Sequence, residues 1–250
     1  MRRTLLGIYG SLHRAFGPQH WWPGETPFEV MVGAVLTQNT NWGNVERAIS
    51  NLKAAGLMSP QRLATCPEER LAELIRPSGY FNVKSRRLRE FLRWLTTRIE
   101  GGGIAALRRV STARLREELL AVHGIGQETA DSILLYALGR RKFVVDAYTR
   151  RMMSRHGLIE PTASYEHIQR LFEESLPASV PLYNEYHALI VRLGKAICRP
   201  KPLCERCPLR KRLGAPRLQR NLAKVRTNLR KAQYAAGTPG GREAILNHGR

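Results

Sequence analysis

The sequence predicts an all-α fold. Apolar residues recur three and four positions apart in ten segments, the spacing of one helix face, and Gly, Pro, Ser or Asn separates the segments. The β-like run FVVD at 143–146 is too short to require a sheet. The predicted helices cover residues 2–16, 27–37, 44–55, 68–76, 82–99, 112–121, 127–138, 147–156, 164–175 and 181–197.

The second of these helices has a recognisable start. Thr26 is a residue type that caps helices, Pro27 suits the first helical position, and Glu29 lies three residues after the cap. We therefore expect a helix that begins at Pro27 with a capping box.

Charge and length limit the class of protein. The 250 residues carry a net charge of +21 and are 43% hydrophobic, so we expect a packed core and a polyanionic partner, most often nucleic acid, with acidic membranes as the alternative. Residues 208–250 hold eleven Lys or Arg and one Glu, and we expect 214–250 to form a flexible basic tail. No apolar run approaches the ~20 residues of a membrane span, and the N-terminus lacks a signal-peptide pattern. A cytoplasmic protein with no membrane partner is expected.

The stretch HGIGQETA, residues 123–130, joins two predicted helices. Gly124 and Gly126 lack a Cβ atom and allow positive φ, so main-chain N–H groups of the turn, that of Ile125 included, can face outward at the start of the second helix. A DNA phosphate fits such a site. An ordinary turn between helices is the alternative.

The segments around this turn resemble a known family. HGIGQETADSILLYALGRRKFVVDAYTRR resembles the helix-hairpin-helix motif and following aspartate loop of the endonuclease III superfamily of DNA glycosylases. FEVMVGAVLTQNTNW, RPSGYFNVKSRRL and CRPKPLCERCPL resemble its base-flipping helix, its intercalating loop and its iron–sulfur loop, over about residues 20–208. The resemblance implies a monomer with two lobes and a DNA cleft between them. Residues 25–140 would form a helical-barrel lobe, 1–24 and 141–213 a second lobe with the cysteine loop, and 214–250 the tail.

The resemblance assigns catalysis to Asp146 and Glu128. Asp146 matches the family's catalytic aspartate, which would stabilise positive charge at the sugar C1′ atom and orient water. Glu128 stands where the bifunctional members carry a lysine that forms a Schiff base, a reaction that glutamate cannot perform. Glu128 would face a positive base or orient water. The alternative for each residue is a helix cap, for Asp146 at the helix 147–156 and for Glu128 as a first-turn acid.

A base pocket is predicted from the aromatic residues. HWWPGETPFEV and LTQNTNW place Trp22, Pro23 and Trp42 at the two ends of the second helix. They resemble the aromatic residues with which the 3-methyladenine DNA glycosylase branch sandwiches a methylated purine, a mode that needs flat apolar surfaces. Core packing of Trp21, Trp22 and Trp42 is the alternative.

Other residues are expected to contact DNA. By resemblance, Gln38 would fill the gap left by a flipped nucleotide and Tyr80 would insert as a wedge, whereas a satisfied buried Gln and a packed Tyr are the alternatives. Lys84, Arg86 and Arg87 suit phosphate contacts, although a solvated helix face has the same pattern.

The late cysteines indicate a cofactor. Cys198, Cys204 and Cys207 have the spacing C-x5-C-x2-C, which in a cytosolic protein favours a metal or cluster over disulfides. The family has a fourth cysteine where this chain has Leu213, and we see no reason to place Cys66 nearby. Three interpretations stay open: a [4Fe–4S] cluster with an unidentified fourth ligand, a loop without metal, and a three-iron cluster.

The predicted function is a monofunctional DNA glycosylase in base excision repair. It would act on double-stranded DNA with damaged bases, release alkylated purines such as 3-methyladenine, and leave an abasic site without AP-lyase cleavage of the strand. The alternatives are an endonuclease III-like glycosylase for oxidised pyrimidines or mismatched bases, and a DNA-binding protein whose catalytic site has decayed. Lys195, just before the cysteine loop, is interpreted as a surface lysine, and a position near the active site is the alternative.

Overall fold

A computed structural model of the protein describes residues 1–22 and 24–213, and within these ranges it contains helices and no strand. The all-α prediction is therefore confirmed. The predictions for Pro23 and for 214–250 fall outside the described residues. The helices are α1 (Arg2–Phe16), α2 (Pro27–Leu36), α3 (Trp42–Ala54), α4 (Pro60–Ala64), α5 (Glu68–Leu74), α6 (Phe81–Arg98), α7 (Thr112–Ala121), α8 (Gln127–Ser132), α9 (Ala147–Arg155), α10 (Tyr165–Ser175), α11 (Val180–Ala196) and α12 (Arg210–Leu213).

Helix α2 begins at Pro27, as predicted. The Oγ1 atom of Thr26 accepts the N–H of Glu29 at 3.1 Å, which is one half of a capping box. The other half differs from the prediction, because the Glu29 carboxylate accepts the N–H of Glu25 at 3.3 Å and pairs with Lys53 at 2.9 Å. The start of the helix is thus fixed by a cap and by an ion pair to α3.

The helix predicted at 127–138 divides into two conformations. The α-helical turns of α8 end at Ser132, and Ile133–Ala137 form a π-helical turn. Such turns insert one extra residue into the helical repeat and occur often at functional sites. The π-helical turn carries Tyr136.

Two hydrophobic clusters form the core of the described chain. The first extends from Phe28 to Leu134 and comprises α2 to α8. The second combines α1 with residues from Leu135 to Leu209, and in it α11 packs against both α1 and α9. The predicted division into lobes stays a prediction, which these two clusters support.

The described helices do not include a membrane span. None of them in residues 1–22 and 24–213 is both long enough and apolar enough to cross a bilayer.

Candidate active site

An open cleft of about 1350 Å³ brings most of the predicted site residues together. Its walls come from the end of α2 and the start of α3, from the HGIG turn and α8, from the start of α9, and from α11. Trp22, Gln38, Trp42, Glu128 and Asp146 all line it.

The HGIG turn uses its two glycines differently. Gly124 has φ 87°, and a Cβ atom there would collide with the side chain of Arg87, so this position requires glycine. Gly126 has φ −90°, which corrects the expectation of positive φ, and a Cβ atom there would meet open space. The prediction that the N–H of Ile125 faces a phosphate is wrong, because this N–H donates to the carbonyl of Val122 at 3.0 Å and the side chain is buried. The outward-facing groups are therefore those that begin α8.

Asp146 caps α9 and faces the cleft. Its Oδ1 atom accepts the N–H of Thr149 at 2.7 Å and the Thr149 hydroxyl at 2.9 Å, so the predicted cap is present. Its Oδ2 atom lies 3.5 Å from Nε2 of His187. Burial alone would raise the pKa of Asp146, but His187 and the hydrogen bonds from Thr149 outweigh it and lower the pKa below its usual value. Asp146 is therefore a buried carboxylate that stays ionised.

Glu128 lies in the first turn of α8. Its side chain is open to water in the cleft, yet the cleft walls surround it on most sides. This enclosure is the main cause that raises its pKa to about 7; the charge of Asp146 adds to the rise, and His187 opposes it. Glu128 is therefore present in both protonation states at neutral pH.

The sequence analysis missed two residues near Asp146: His187, which lines the cleft, and Tyr136, which contacts His187. His187 in α11 is 5% exposed, and its Nδ1 atom lies 2.5 Å from the hydroxyl of Tyr136 in the π-helical turn. The Tyr136 ring in turn packs at 5.0 Å against the ring of Trp22. The only signal in the sequence is a polar residue on an otherwise apolar helix face, as in NEYHALIV.

Three of the four tryptophans form one aromatic cluster at the cleft. The ring centroids of Trp22 and Trp42 are 5.0 Å apart with an interplanar angle of 84°, and Trp21 contacts both rings. A base stacked between two rings needs roughly 7 Å, or two contacts of about 3.5 Å, between parallel planes. In this conformation Trp22 and Trp42 therefore do not form the predicted sandwich. Trp42 also donates from Nε1 to Glu46 at 2.7 Å, which fixes the orientation of its ring.

Gln38 is tied to the hairpin rather than free to insert. Its Nε2 atom donates to the carbonyl of Gly124 and to the hydroxyl of Thr129, both at 3.1 Å. Its Oε1 atom accepts from Arg87 at 2.5 Å. In this conformation Gln38 is the satisfied side chain of the alternative interpretation, and Arg87 is engaged by the protein.

Lys84 is wrongly predicted as a phosphate contact. It is 2% exposed, and its ammonium donates to the carbonyls of Leu36 at 2.8 Å and Ser78 at 2.6 Å. Burial, followed by the charge of Arg87, lowers its pKa to about 8. A group so enclosed joins α2 to the segment before α6 and does not reach DNA.

Tyr80 and Arg86 have the exposure that DNA contacts need. Tyr80 is 73% exposed, with φ 47° at the start of α6, and Arg86 is exposed six residues further on. Lys195 is exposed as predicted, but it also lines the cleft, with Nζ 5.9 Å from the ring centroid of Trp21.

The three late cysteines do not complete a metal site within the described residues. Cys198 is buried and Cys204 and Cys207 are half-buried, but no group of three or more His, Cys, Asp or Glu side chains in residues 1–22 and 24–213 is arranged to hold a metal ion. Burial is the main cause that raises the pKa of the Cys207 thiol. Leu213, which ends α12, offers no ligand atom at the family's fourth position. In the part of the chain that the structure describes, the loop therefore offers three cysteine thiols and no fourth ligand for an iron–sulfur cluster.

Arginines of α9 hold this loop instead. Arg155 donates to Sγ of Cys198 at 3.4 Å, to the carbonyl of Arg199 at 2.7 Å and to that of Pro200 at 2.9 Å. Arg151 donates to the carbonyl of Cys198 at 2.7 Å. Cys66 belongs to the first hydrophobic cluster and Cys198 to the second, so Cys66 does not join the loop.

The glycine hairpin and Asp146 lie at one cleft, an arrangement typical of helix-hairpin-helix DNA repair enzymes. The chain belongs to the HhH-GPD superfamily of base excision DNA repair proteins, whose family model matches residues 32–178. Membership of the endonuclease III superfamily is thereby confirmed, and the protein is a DNA glycosylase of base excision repair.

Relatives and solved structures agree with this assignment. A protein of Methanocaldococcus jannaschii, named provisionally as a DNA repair glycosylase, is 49% identical over 206 residues, which are 82% of this chain and 94% of that protein. The crystal structure of the H. pylori 3-methyladenine DNA glycosylase bound to 1,N6-ethenoadenine has a TM-score of 0.64 and 30% identity, and the match covers 77% of this chain and 96% of that chain. A non-covalent complex of endonuclease III with DNA has a TM-score of 0.72 at 22% identity, over 86% of this chain and 96% of that chain, which shows a common fold.

Proposed function

We propose that the protein is a monofunctional glycosylase that releases alkylated purines, 3-methyladenine foremost, from double-stranded DNA and acts as a monomer. The observation that carries the proposal is the carboxylate of Glu128 in the cleft, where lyases of the superfamily hold their lysine. A carboxylate cannot form a Schiff base with the sugar. The product is then an abasic site in an intact strand.

Asp146 supplies the main electrostatic stabilisation of the transition state. As the glycosidic bond breaks, positive charge develops at C1′ and the ring oxygen of the sugar, and a fixed anion beside it lowers the barrier. Asp146 suits this role because Thr149 holds one carboxylate oxygen and the low pKa keeps the group charged. The same carboxylate orients the water molecule that captures the sugar.

Glu128 suits a positively charged base. A methylated purine such as 3-methyladenine leaves as a neutral base, so its departure does not depend on protonation by the enzyme. A cationic base in the cleft favours the ionised form of Glu128, whose pKa of about 7 leaves it easily deprotonated. Attraction between base and carboxylate therefore selects charged lesions over neutral ones.

The aromatic cluster provides the stacking surface. Because Trp22 and Trp42 touch each other edge-on, we expect one face of the base to stack on Trp42 and the second ring to move aside as the base enters. Pro23, outside the described residues, is included in this pocket by resemblance only.

DNA contacts follow the exposed groups. Gly126, with open space in front of it, suits a close phosphate at the start of α8, and Gly124 shapes the turn. Tyr80 acts as the wedge in the duplex, and Arg86 contacts the backbone. Gln38 enters the base stack after it leaves its hydrogen bonds with the hairpin.

Release of the base is the experiment that tests this proposal. DNA treated with a methylating agent, and duplexes with single oxidised or mismatched bases, are incubated with the protein, and the free bases are identified by chromatography. We expect 3-methyladenine to be released, and Asp146→Asn to abolish release while DNA binding is retained. Release of oxidised pyrimidines or mismatched bases alone would mean that the protein is an endonuclease III-like glycosylase for those bases. A wild type that binds DNA but releases nothing would favour a non-catalytic binder.

A further inference from the structure

We propose that His187 and Tyr136 form a relay that positions the Oδ2 atom of Asp146 for the reaction at the sugar. The inference rests on the role of Asp146 in the proposed function, but not on which base is released. Tyr136 lies in the π-helical turn that continues α8, and His187 lies in α11.

The two oxygens of Asp146 have different surroundings. Oδ1 is occupied, because it accepts both hydrogen bonds of the cap from Thr149. Oδ2 faces Nε2 of His187 at 3.5 Å. Oδ2 is therefore the atom available to the substrate, and its direction is set by His187.

The proton of His187 is placed by Tyr136. Burial, followed by the charges of Asp146 and Glu128, raises the pKa of Tyr136 well above its usual value, so its hydroxyl keeps its proton and can donate it to Nδ1 of His187. When Nδ1 accepts this hydrogen bond, the ring proton lies on Nε2, the atom that points at Asp146, and a doubly protonated ring carries a proton there as well. A hydrogen-bond partner on one ring nitrogen thus determines whether the other nitrogen donates or accepts.

Nε2 of His187 is a buried polar atom without a hydrogen bond in the described part of the chain. Its 3.5 Å separation from Oδ2 is longer than a good hydrogen bond, and such contacts often tighten when substrate fills a site. Tyr136 also packs against Trp22 at 5.0 Å. The relay therefore joins the aromatic cluster, which receives the base, to the carboxylate, which acts on the sugar.

His187 also keeps Asp146 ionised. Burial raises the pKa of Asp146, and of the groups that oppose burial His187 is the strongest, ahead of Thr149. Without His187 we expect the pKa of Asp146 to rise, which moves the acid limb of the single-turnover rate, measured with DNA bound, to higher pH. Glu128 governs a separate rise of kcat/KM near pH 7. The other ionisable groups that line the two pockets around Asp146 are Glu128, which adds a like charge, His123, Tyr148, Tyr165 and Lys195, and Arg87, Arg150 and Arg151.

The position of the proton is measured first, without any substrate. In nitrogen-15 NMR of histidine-labelled protein, we expect Nε2 of His187 to carry a proton at neutral pH, and Tyr136→Phe to change the signals of this ring. Tyr186→Phe is the matched control, since it removes a buried hydroxyl that donates to the carbonyl of Leu5 at 2.8 Å. A bare Nε2 facing Asp146 would overturn the relay.

Rates of base release then test the consequence. We expect His187→Leu to lower the single-turnover rate about 10- to 100-fold, the loss that follows when the hydrogen-bond partner of a metal ligand is removed. The affinity for DNA should be unchanged, and the acid limb of the rate should lie at higher pH. His187→Gln keeps a donor and should recover part of the rate. If both variants lose the same fraction of the rate and keep the wild-type pH profile, His187 contributes only by packing, and the inference is overturned. A wild type inert on every lesion would instead refute the proposed function, and the NMR result would still decide the relay.

Discussion

Replacement of Lys84 by methionine tests the strongest departure of the structure from the sequence-based expectation. The ammonium is enclosed and donates to the carbonyls of Leu36 and Ser78. Methionine keeps a side chain of similar length and removes the charge and both donors. Each carbonyl left without a donor costs about 1–3 kcal/mol, so the gross cost is about 2–6 kcal/mol.

The buried charge itself opposes folding at neutral pH. A pKa of about 8 in the folded protein, against 10.5 for an ordinary lysine, corresponds to about 3 kcal/mol. Because the unfolded chain binds the proton more tightly, the wild type gains this amount as pH rises from about 8 to about 10.5. Lys84→Met has no such gain. The stability difference between the two proteins should therefore grow by about 3 kcal/mol over this window.

Urea unfolding of both proteins at about pH 7 and about pH 10 measures this difference, since other titrating groups cancel between them. A difference that stays constant with pH would mean that the ammonium is solvated, and the burial argument would be wrong. DNA binding provides a second comparison. Lys84→Met should leave the slope of log K against log salt unchanged, whereas Arg86→Ala should reduce its magnitude by about 0.9 if Arg86 contacts a phosphate.

Three further predictions concern the cleft. Gly124→Ala should destabilise the protein by about 1–3 kcal/mol because Gly124 has a positive φ and a Cβ atom there would collide with Arg87. Gly126→Ala should change the free energy of unfolding by less than about 0.5 kcal/mol and should weaken DNA binding. Equal shifts of the melting temperature in the two variants would contradict this prediction. Trp42→Ala should lower kcat/KM for methylated bases roughly 5- to 150-fold, because stacking worth about 1–3 kcal/mol is lost. An unchanged kcat/KM would show that Trp42 does not contact the base. For cationic lesions, kcat/KM should rise with pH through about 7 as Glu128 loses its proton, and a Glu128→Gln variant that keeps this rise would assign it to another group.

Features encoded over short stretches were predictable from the sequence. The cap at Thr26, the hairpin glycines and the spacing of Glu128 and Asp146 depend on residues within a few turns of one another. The proposed absence of a Schiff base rests on residue type, because glutamate has no amine. The all-α fold followed from the helical spacing of apolar residues.

Features created by contacts between distant segments were not predictable. His187 contacts Tyr136 across 51 positions, and the only local signal for either residue is the polar position of His187 on an apolar helix face. Lys84 was expected at the surface because lysine rarely lies buried, but the approach of α2 and Ser78 creates two carbonyls that accept its donors. The edge-on contact of Trp22 and Trp42 likewise depends on side-chain orientation, which residue type does not determine.

The monofunctional reaction is the central claim, and strand integrity tests it most directly. A duplex labelled on the lesion strand is incubated with wild-type protein, and half of each sample is heated in alkali before electrophoresis. We predict an intact strand without alkali and cleavage at the lesion with it. Cleavage without alkali, together with a covalent complex trapped by borohydride, would show that an amine acts as nucleophile. Lys195, which lines the same cleft, is the residue that would then have to be tested.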